Sequence, residues 1–315
     1  MSLPRLPGMA MRVAQVVVLV LLAVLLWNVA DGQGAWDLLQ QANPLWLLAA
    51  ALVLTLQTVM SAQRWRITAA QLGVYFSPVE AVREYYLAQV VNQSLPGGFV
   101  GDANRAVRLR HHAGLVASGQ AVVFERVSGQ LGLLAVLAFG LAANLVLPTS
   151  LIWPDWVKSL LLAILVGVVG TPIILSSIPR LLGPKAGPVA RFSKAFKRAV
   201  LARAVLPQQI GLSFGTTLCN VFAFALCGVA LGISLPFLAT LTIVPLILCA
   251  MLIPISVSGW GVREGAAALL FPVFGATASE GLATSVAFGL IFLITVVPGL
   301  LVIWMRPNAP VFGPH

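Results

Sequence analysis

Charge is what this chain has least of. Lys, Arg, Asp and Glu make up 9% of its 315 residues and apolar residues 59%, which excludes an ordinary soluble domain, where about a quarter of residues are charged. Cysteine is nearly as scarce. Cys219, Cys227 and Cys249 are odd in number and sit inside apolar runs, so they read as small packing residues and exclude a disulfide framework. His111-His112 lacks a third ligand nearby and reads as a surface pair, so no metal site is implied. The polar and apolar alternation of barrel strands is missing, which leaves helices as the spanning element. No Walker loop, Gly-x-Ser-x-Gly or His-Glu-x-x-His occurs, so no cofactor is implied. Membrane-embedded transferases need fewer landmarks and stay open.

Long apolar runs are abundant. Val13 to Ala30, Pro44 to Ala62, Ala121 to Leu147, Val157 to Ile178, Ile210 to Ile233, Leu235 to Val257 and Leu282 to Met305 are each about long enough to cross a bilayer as a helix. The chain therefore reads as an all-α, polytopic helical membrane protein of about six to eight spans. The first run follows Arg5 and Arg12 as in a signal peptide, but Asn28-Val29-Ala30 lacks the usual small residue before a cut, so an uncleaved span is expected. No Pro-, Ser- or charge-rich linker divides the chain, which predicts one membrane domain over 1–306 and a disordered tail over 307–315. Trp27, Trp36, Trp46, Trp65, Trp153, Trp156 and Trp304 fall near span ends and read as interfacial anchors.

The net charge of +10 is unevenly placed. With the N-terminus in the cytoplasm, Arg5 and Arg12 lie inside, the loops Asp31 to Asn43 and Pro148 to Trp156 carry no basic residue outside, and Arg64, Arg66, Arg83, Arg105, Arg108 and Arg110 return inside. Arg180, Lys185, Arg191, Lys194, Lys197, Arg198 and Arg203 occur with no acidic residue among them, which marks 180–203 as cytoplasmic; Arg306 places the C-terminus there too. Within that segment Val189 to Val205 groups Phe192, Phe196, Ala199 and Val200 on one helical face beside Arg191, Lys194 and Arg198. Such a helix lies on the inner leaflet and attracts anionic lipid headgroups, or its charges simply fix topology. No soluble module accompanies the basic loop, which excludes nucleic-acid binding.

Three segments do not behave as simple spans. Pro78 to Gln93 is amphipathic and ends at a break containing Pro96, Gly97 and Gly98; Asp102 to His112 is too polar to face lipid; Gly265 to Gly275 is too short to cross unless its helix begins near Gly259. Two readings follow. In one, each half holds two spans, a membrane hairpin and a third span, in inverted orientation, with hairpin tips at 95–98 and near Pro254 to Gly261. In the other, Leu235 to Val257 crosses outright. Beside the breaks lie Asp102 and Arg105, then Glu125 and Arg126 opening the third long span, then Arg263 and Glu264. Ionisable groups are costly near the bilayer core, so they read either as a substrate site, with arginine clamping a lipid phosphate, or as ion pairs fixing helix contacts. Gly98 and Gly101 expose backbone amides beside them, which suits an anion, or they simply permit a tight turn.

Arg64-Trp65, then Asn92-x-x-Leu95-Pro96-Gly97-Gly98-x-x-Gly101-Asp102-x-x-Arg105, then Glu125-Arg126, then Pro254-x-Ser256-x-x-Gly259-x-Gly261-x-Arg263-Glu264, in that order, resemble the lysylphosphatidylglycerol synthase transmembrane-region family, also called the flippase-like domain. The resemblance runs from about Val13 to Met305. It implies a stand-alone member without the synthase domain: a bacterial inner-membrane translocase that moves a polar-headed, anionic or lipid-linked substrate between leaflets. The alternative is a membrane-embedded transferase that modifies a lipid headgroup, with Asp102 or Glu264 as base. On the translocase expectation Arg64, Asp102, Arg105, Glu125, Arg126, Arg263 and Glu264 form the substrate site, and Pro96, Gly97, Gly98, Gly101, Pro254, Gly259 and Gly261 form hinges.

Overall fold

A chain this apolar must satisfy its backbone within each segment. The computed structural model describes residues 24–94 except 26, 99–146, 187–251 and 258–299, with the single positions 155, 159 and 162. Among them the elements are α1 (Gly32–Gln40), α2 (Pro44–Ala70), α3 (Pro78–Ser94), α4 (Val100–Arg108), α5 (Arg110–Val146), α6 (Gly187–Val200), α7 (Leu206–Ala230), α8 (Phe237–Ala250), α9 (Val262–Leu270), a 3-10 turn over Phe271–Phe274, and α10 (Ala278–Val296). Helices α2, α5, α7 and α10 are long and apolar enough to span a membrane. The protein is an all-α, multi-pass membrane protein. Most of the expected span 13–30, the span 157–178, the loop 148–156, Arg180, Lys185, Arg306 and the tail 307–315 lie outside the described residues, as do Pro96, Gly97, Gly98 and Pro254.

Local signals set the ends. Asn43 accepts a hydrogen bond from the Leu45 amide and Pro44 occupies the first turn of α2, a favourable start because that turn has no use for the missing N–H. Thr277 and Glu280 cap α10 reciprocally. Two boundaries differ from the sequence reading. The 31–43 segment expected to be a loop contains α1, capped by Asp31. Helix α2 continues past Ala62 to Ala70, which turns Arg64 from a loop residue into a buried helical one.

The chain repeats one order of elements. Helices α2 to α5 measure 27, 17, 9 and 37 residues, and α7 to α10 measure 25, 14, 9 and 19. The two short helices of each set, α3 with α4 and α8 with α9, pack against one another. At 14 residues α8 is roughly 21 Å long, short of the ~30 Å hydrocarbon core. The chain then turns through Ser258, Gly259 and Gly261, with φ of 51°, 83° and 84°. Residues 252–257, the remainder of the Leu235 to Val257 run, lie outside the described residues.

Helices α2 and α7 share the most extensive contact, and α5 and α10 flank them. The apolar core is split. One cluster gathers Ala50 and Leu54 of α2 with Phe224, Phe271 and Phe288; another gathers Ala62, Trp65 and Ala69 with Phe76 and Val122. Between them, on α2, lie the buried polar residues Gln57, Thr58, Ser61 and Arg64. Helix association within lipid gains little from hydrophobicity, so this polar layer does much to fix the α2–α7 register.

Candidate functional site

The polar layer opens into a half-enclosed cavity of about 310 Å³, lined from both repeats: Gln57, Ser61 and Arg64 of α2, Tyr85, Gln89, Asn92 and Gln93 of α3, Asp102 of α4, Glu125, Arg126 and Gln130 of α5, Thr216, Thr217 and Asn220 of α7, and Arg263 of α9, with Leu133, Leu248, Met251, Phe288 and Phe292 as its apolar wall. On α2, Gln57, Ser61, Arg64 and Thr68 recur at steps of four, three and four, and on α7 Gln209, Ser213, Thr216 and Asn220 repeat that spacing. Each set is therefore one stripe on a helix. The stripes meet antiparallel: Gln209 donates to Thr68 Oγ1 at 2.9 Å and Arg64 donates to Thr216 Oγ1 at 2.9 Å.

Glu125 is the hub. Its side chain is 1% exposed; Oε1 accepts from Arg64 at 2.7 Å and from the Tyr85 hydroxyl at 3.3 Å, and Oε2 accepts from Arg105 at 2.9 Å. Arg105 also pairs with Asp102 Oδ1 at 3.0 Å, and the other Asp102 oxygen pairs with Arg126 and accepts from Asn92 at 3.3 Å. Five charged residues from α2, α4 and α5 thus form one chain. The Arg105 guanidinium lies 4.6 Å from the ring centroids of both Trp65 and Tyr85; its planar, weakly hydrated head suits such stacking. Trp65, 1% exposed, is therefore not the interfacial anchor the sequence suggested, whereas Trp27, Trp36 and Trp46 are exposed.

A smaller group mirrors this one. Arg263 donates to Ser285 Oγ at 2.9 Å, pairs with Glu264, and lies 5.1 Å from the Trp260 ring and 5.3 Å from the Phe288 ring. Glu264 also accepts from Ser285 at 3.1 Å and from the Gly261 amide at 2.6 Å. Facing glycines make room for both arginines: a Cβ on Gly129 would lie 2.8 Å from an Arg64 terminal nitrogen, and one on Gly289 would lie 2.3 Å from that of Arg263.

Residues 12–299 match the family model of the lysylphosphatidylglycerol synthase TM region. The chain belongs to that family. No curated protein and no solved structure matches it. In this family member, Arg64, Asp102, Glu125, Arg126 and Arg263 line one cavity, while Arg105 and Glu264 stand outside its lining, in contact with residues that reach it. Gly101 is buried and donates its N–H to Asn92 Oδ1 at 2.7 Å. Glu125 and Arg126 do not open the span as the sequence suggested. They lie roughly 16 Å along the helix from the break at Gly114, where φ is 85°. Tyr85, Ser213, Thr216 and Ser285 were missed by sequence reasoning; the shared four-three-four spacing of polar residues on α2 and α7 would have found Ser213 and Thr216.

Four guanidiniums, Arg64, Arg105, Arg126 and Arg263, stand with three carboxylates, Asp102, Glu125 and Glu264. Four against three leaves one unit of positive charge. Each carboxylate already pairs with arginine, so an added anion meets cationic donors of which Arg126, with a side chain 48% exposed, is the most accessible.

Proposed function

We propose that this protein moves a polar-headed anionic or lipid-linked substrate between the leaflets of a bacterial inner membrane. The observation that carries the reading is the net-cationic cavity assembled by both repeats, with Arg64, Arg126 and Arg263 reaching one space. Discontinuous helices flanking such a space are the usual way a transporter holds a charged headgroup inside a bilayer. Arg126 and Arg263 contact the headgroup, with Arg64; Asp102, Glu125 and Glu264 hold the guanidiniums in place, and Arg105 ties Asp102 to Glu125. Of the glycines expected as hinges, Gly259 and Gly261 sit in a positive-φ turn ahead of α9 and act as hinge points there. With Asp102, Glu125 and Glu264 each engaged by arginine, none of the three stands ready as a base, which favours transport over headgroup chemistry.

Basic segments inside the cell put both termini in the cytoplasm and orient the two repeats oppositely across the membrane. Helix α6 then lies on the inner leaflet: Arg191, Lys194, Lys197 and Arg198 are exposed, Ala199 and Val200 pack with Phe124, and Phe192 and Phe196 meet the Phe124 ring edge-on at 5.0 and 5.2 Å. It attracts anionic headgroups there.

The test is leaflet transfer in proteoliposomes containing fluorescent phosphatidylglycerol, read by dithionite quenching. The intact protein is expected to expose inner-leaflet probe and Arg126→Ala with Arg263→Ala to lose that activity. Transfer no faster than in protein-free vesicles, for every anionic probe tried, overturns the proposal.

A further inference from the structure

Beyond its charges, the cavity is distinguished by side-chain amides. Gln57, Gln89, Asn92, Gln93, Gln130 and Asn220 all line it, supplied by α2, α3, α5 and α7, and the hydroxyls of the α2 and α7 stripes lie among them. A carboxamide offers two donors and an acceptor with no charge, the pattern that matches a hydroxyl, itself donor and acceptor. The Oε1 atom of Gln93 is buried and accepts no hydrogen bond among the described residues. Such an acceptor is unfavourable until a donor reaches it, and a ligand hydroxyl is such a donor. An ammonium group, by contrast, is held most strongly by a carboxylate free to pair with it. Asp102 and Glu125, the carboxylates in the lining, are each held by two arginines.

We infer that the headgroup bound here joins a phosphate to an uncharged polyhydroxyl group, a sugar or polyol, and is not an aminoacylated, cationic one. The phosphate meets the guanidiniums and the polyol meets the carboxamides, Gln93 and Gln130 foremost, because Gln57, Gln89, Asn92 and Asn220 already bond to neighbouring groups. At about 310 Å³ the cavity sits at the small end of the ~300–1,000 Å³ range of ligand sites, so it takes the headgroup and leaves the lipid chains against Leu133, Phe288 and Phe292. This inference rests on the transport reading and specifies its cargo.

Equilibrium binding to the full chain in neutral detergent tests it, read by intrinsic tryptophan fluorescence, because Trp65 and Trp260 stack on Arg105 and Arg263. The probes are dioctanoyl phosphatidylinositol, phosphatidic acid, lysyl-phosphatidylglycerol and glucosyl-diacylglycerol, with inorganic phosphate as the lipid-free control. Phosphatidylinositol is expected to bind about tenfold more tightly than any other probe. Gln93→Ala and Gln130→Ala are each expected to weaken it roughly threefold to tenfold, the worth of one hydrogen bond, while leaving phosphatidic acid unchanged. Equal binding of phosphatidic acid, or preference for lysyl-phosphatidylglycerol or for the phosphate-free glucolipid, overturns the inference. Leaflet transfer of fluorescent versions of these lipids separates the two claims. Transfer without headgroup preference defeats the polyol assignment alone; absence of transfer for all defeats the transport reading itself.

Discussion

At the scale of single residues, the transport reading gives the two neighbours Glu125 and Arg126 different work and separates stability from transport. Glu125 holds Arg64 and Arg105 in a buried setting, so Glu125→Gln leaves two guanidiniums without their shared anion. Removing one partner of a buried pair costs about 3–5 kcal/mol, and thermal unfolding in detergent is expected to show a large fall in Tm together with lost transport. Arg126 is half exposed to the cavity and its partner Asp102 keeps Arg105 as well; Arg126→Ala is expected to lower Tm less than Glu125→Gln does, yet to abolish leaflet transfer. Equal effects of the two substitutions on Tm would refute this division. The charged members of the site were legible because acids and arginines are so rare in an apolar chain that each stands out. Their partners were not: Tyr85, Thr216 and Ser285 belong to residue types common in membrane helices, and only the fold reveals which of them face an arginine.

At the scale of elements, each repeat depends on one close backbone approach. A Cβ on Gly101 would lie 2.0 Å from the carbonyl oxygen of Ala88, between α3 and α4, and one on Gly281 would lie 2.4 Å from that of Ala267, between α9 and α10. Backbone cannot rotate away as a side chain can, so Gly101→Ala and Gly281→Ala are each expected to push a helix pair apart and to destabilise by about 1–3 kcal/mol or more, as overpacking does. Gly119→Ala, where a Cβ meets open space, is the neutral control, and a Tm drop there as large as at Gly101 would remove the argument. Helix existence was readable from apolar length, and the start of α9 from the glycines at 259 and 261. Boundaries were less readable. Helix α2 runs eight residues beyond its apolar stretch because Arg64 and Thr68 find partners on α7, and a hydropathy window cannot see a polar residue that is satisfied by another helix. The α1 helix was missed because it is short and polar enough to pass for a connection.

At the scale of the whole molecule, the two repeats share an element order, and the proposed topology, with basic segments inside, orients them oppositely. With the native cysteines replaced by alanine, Gln33→Cys in α1 is expected to react with an impermeant maleimide on intact cells. Lys197→Cys in α6 is expected to react only after permeabilisation. Both positions are exposed, so lack of access is not an explanation; labelling of Lys197→Cys from outside would reverse the assigned orientation. A last consequence follows from the unequal count of arginines and carboxylates around the cavity. Unoccupied, the site carries one positive unit; holding a monoanionic phosphate, it is neutral. A transmembrane voltage therefore does electrical work on the empty site and almost none on the loaded one, at about 2.3 kcal/mol per charge per 100 mV for a full crossing. On the transport reading, imposing a potassium diffusion potential on proteoliposomes is expected to change the rate of repeated turnover while leaving a single loaded passage nearly untouched, so that the cell's own polarisation acts on the resetting of the carrier and not on its cargo.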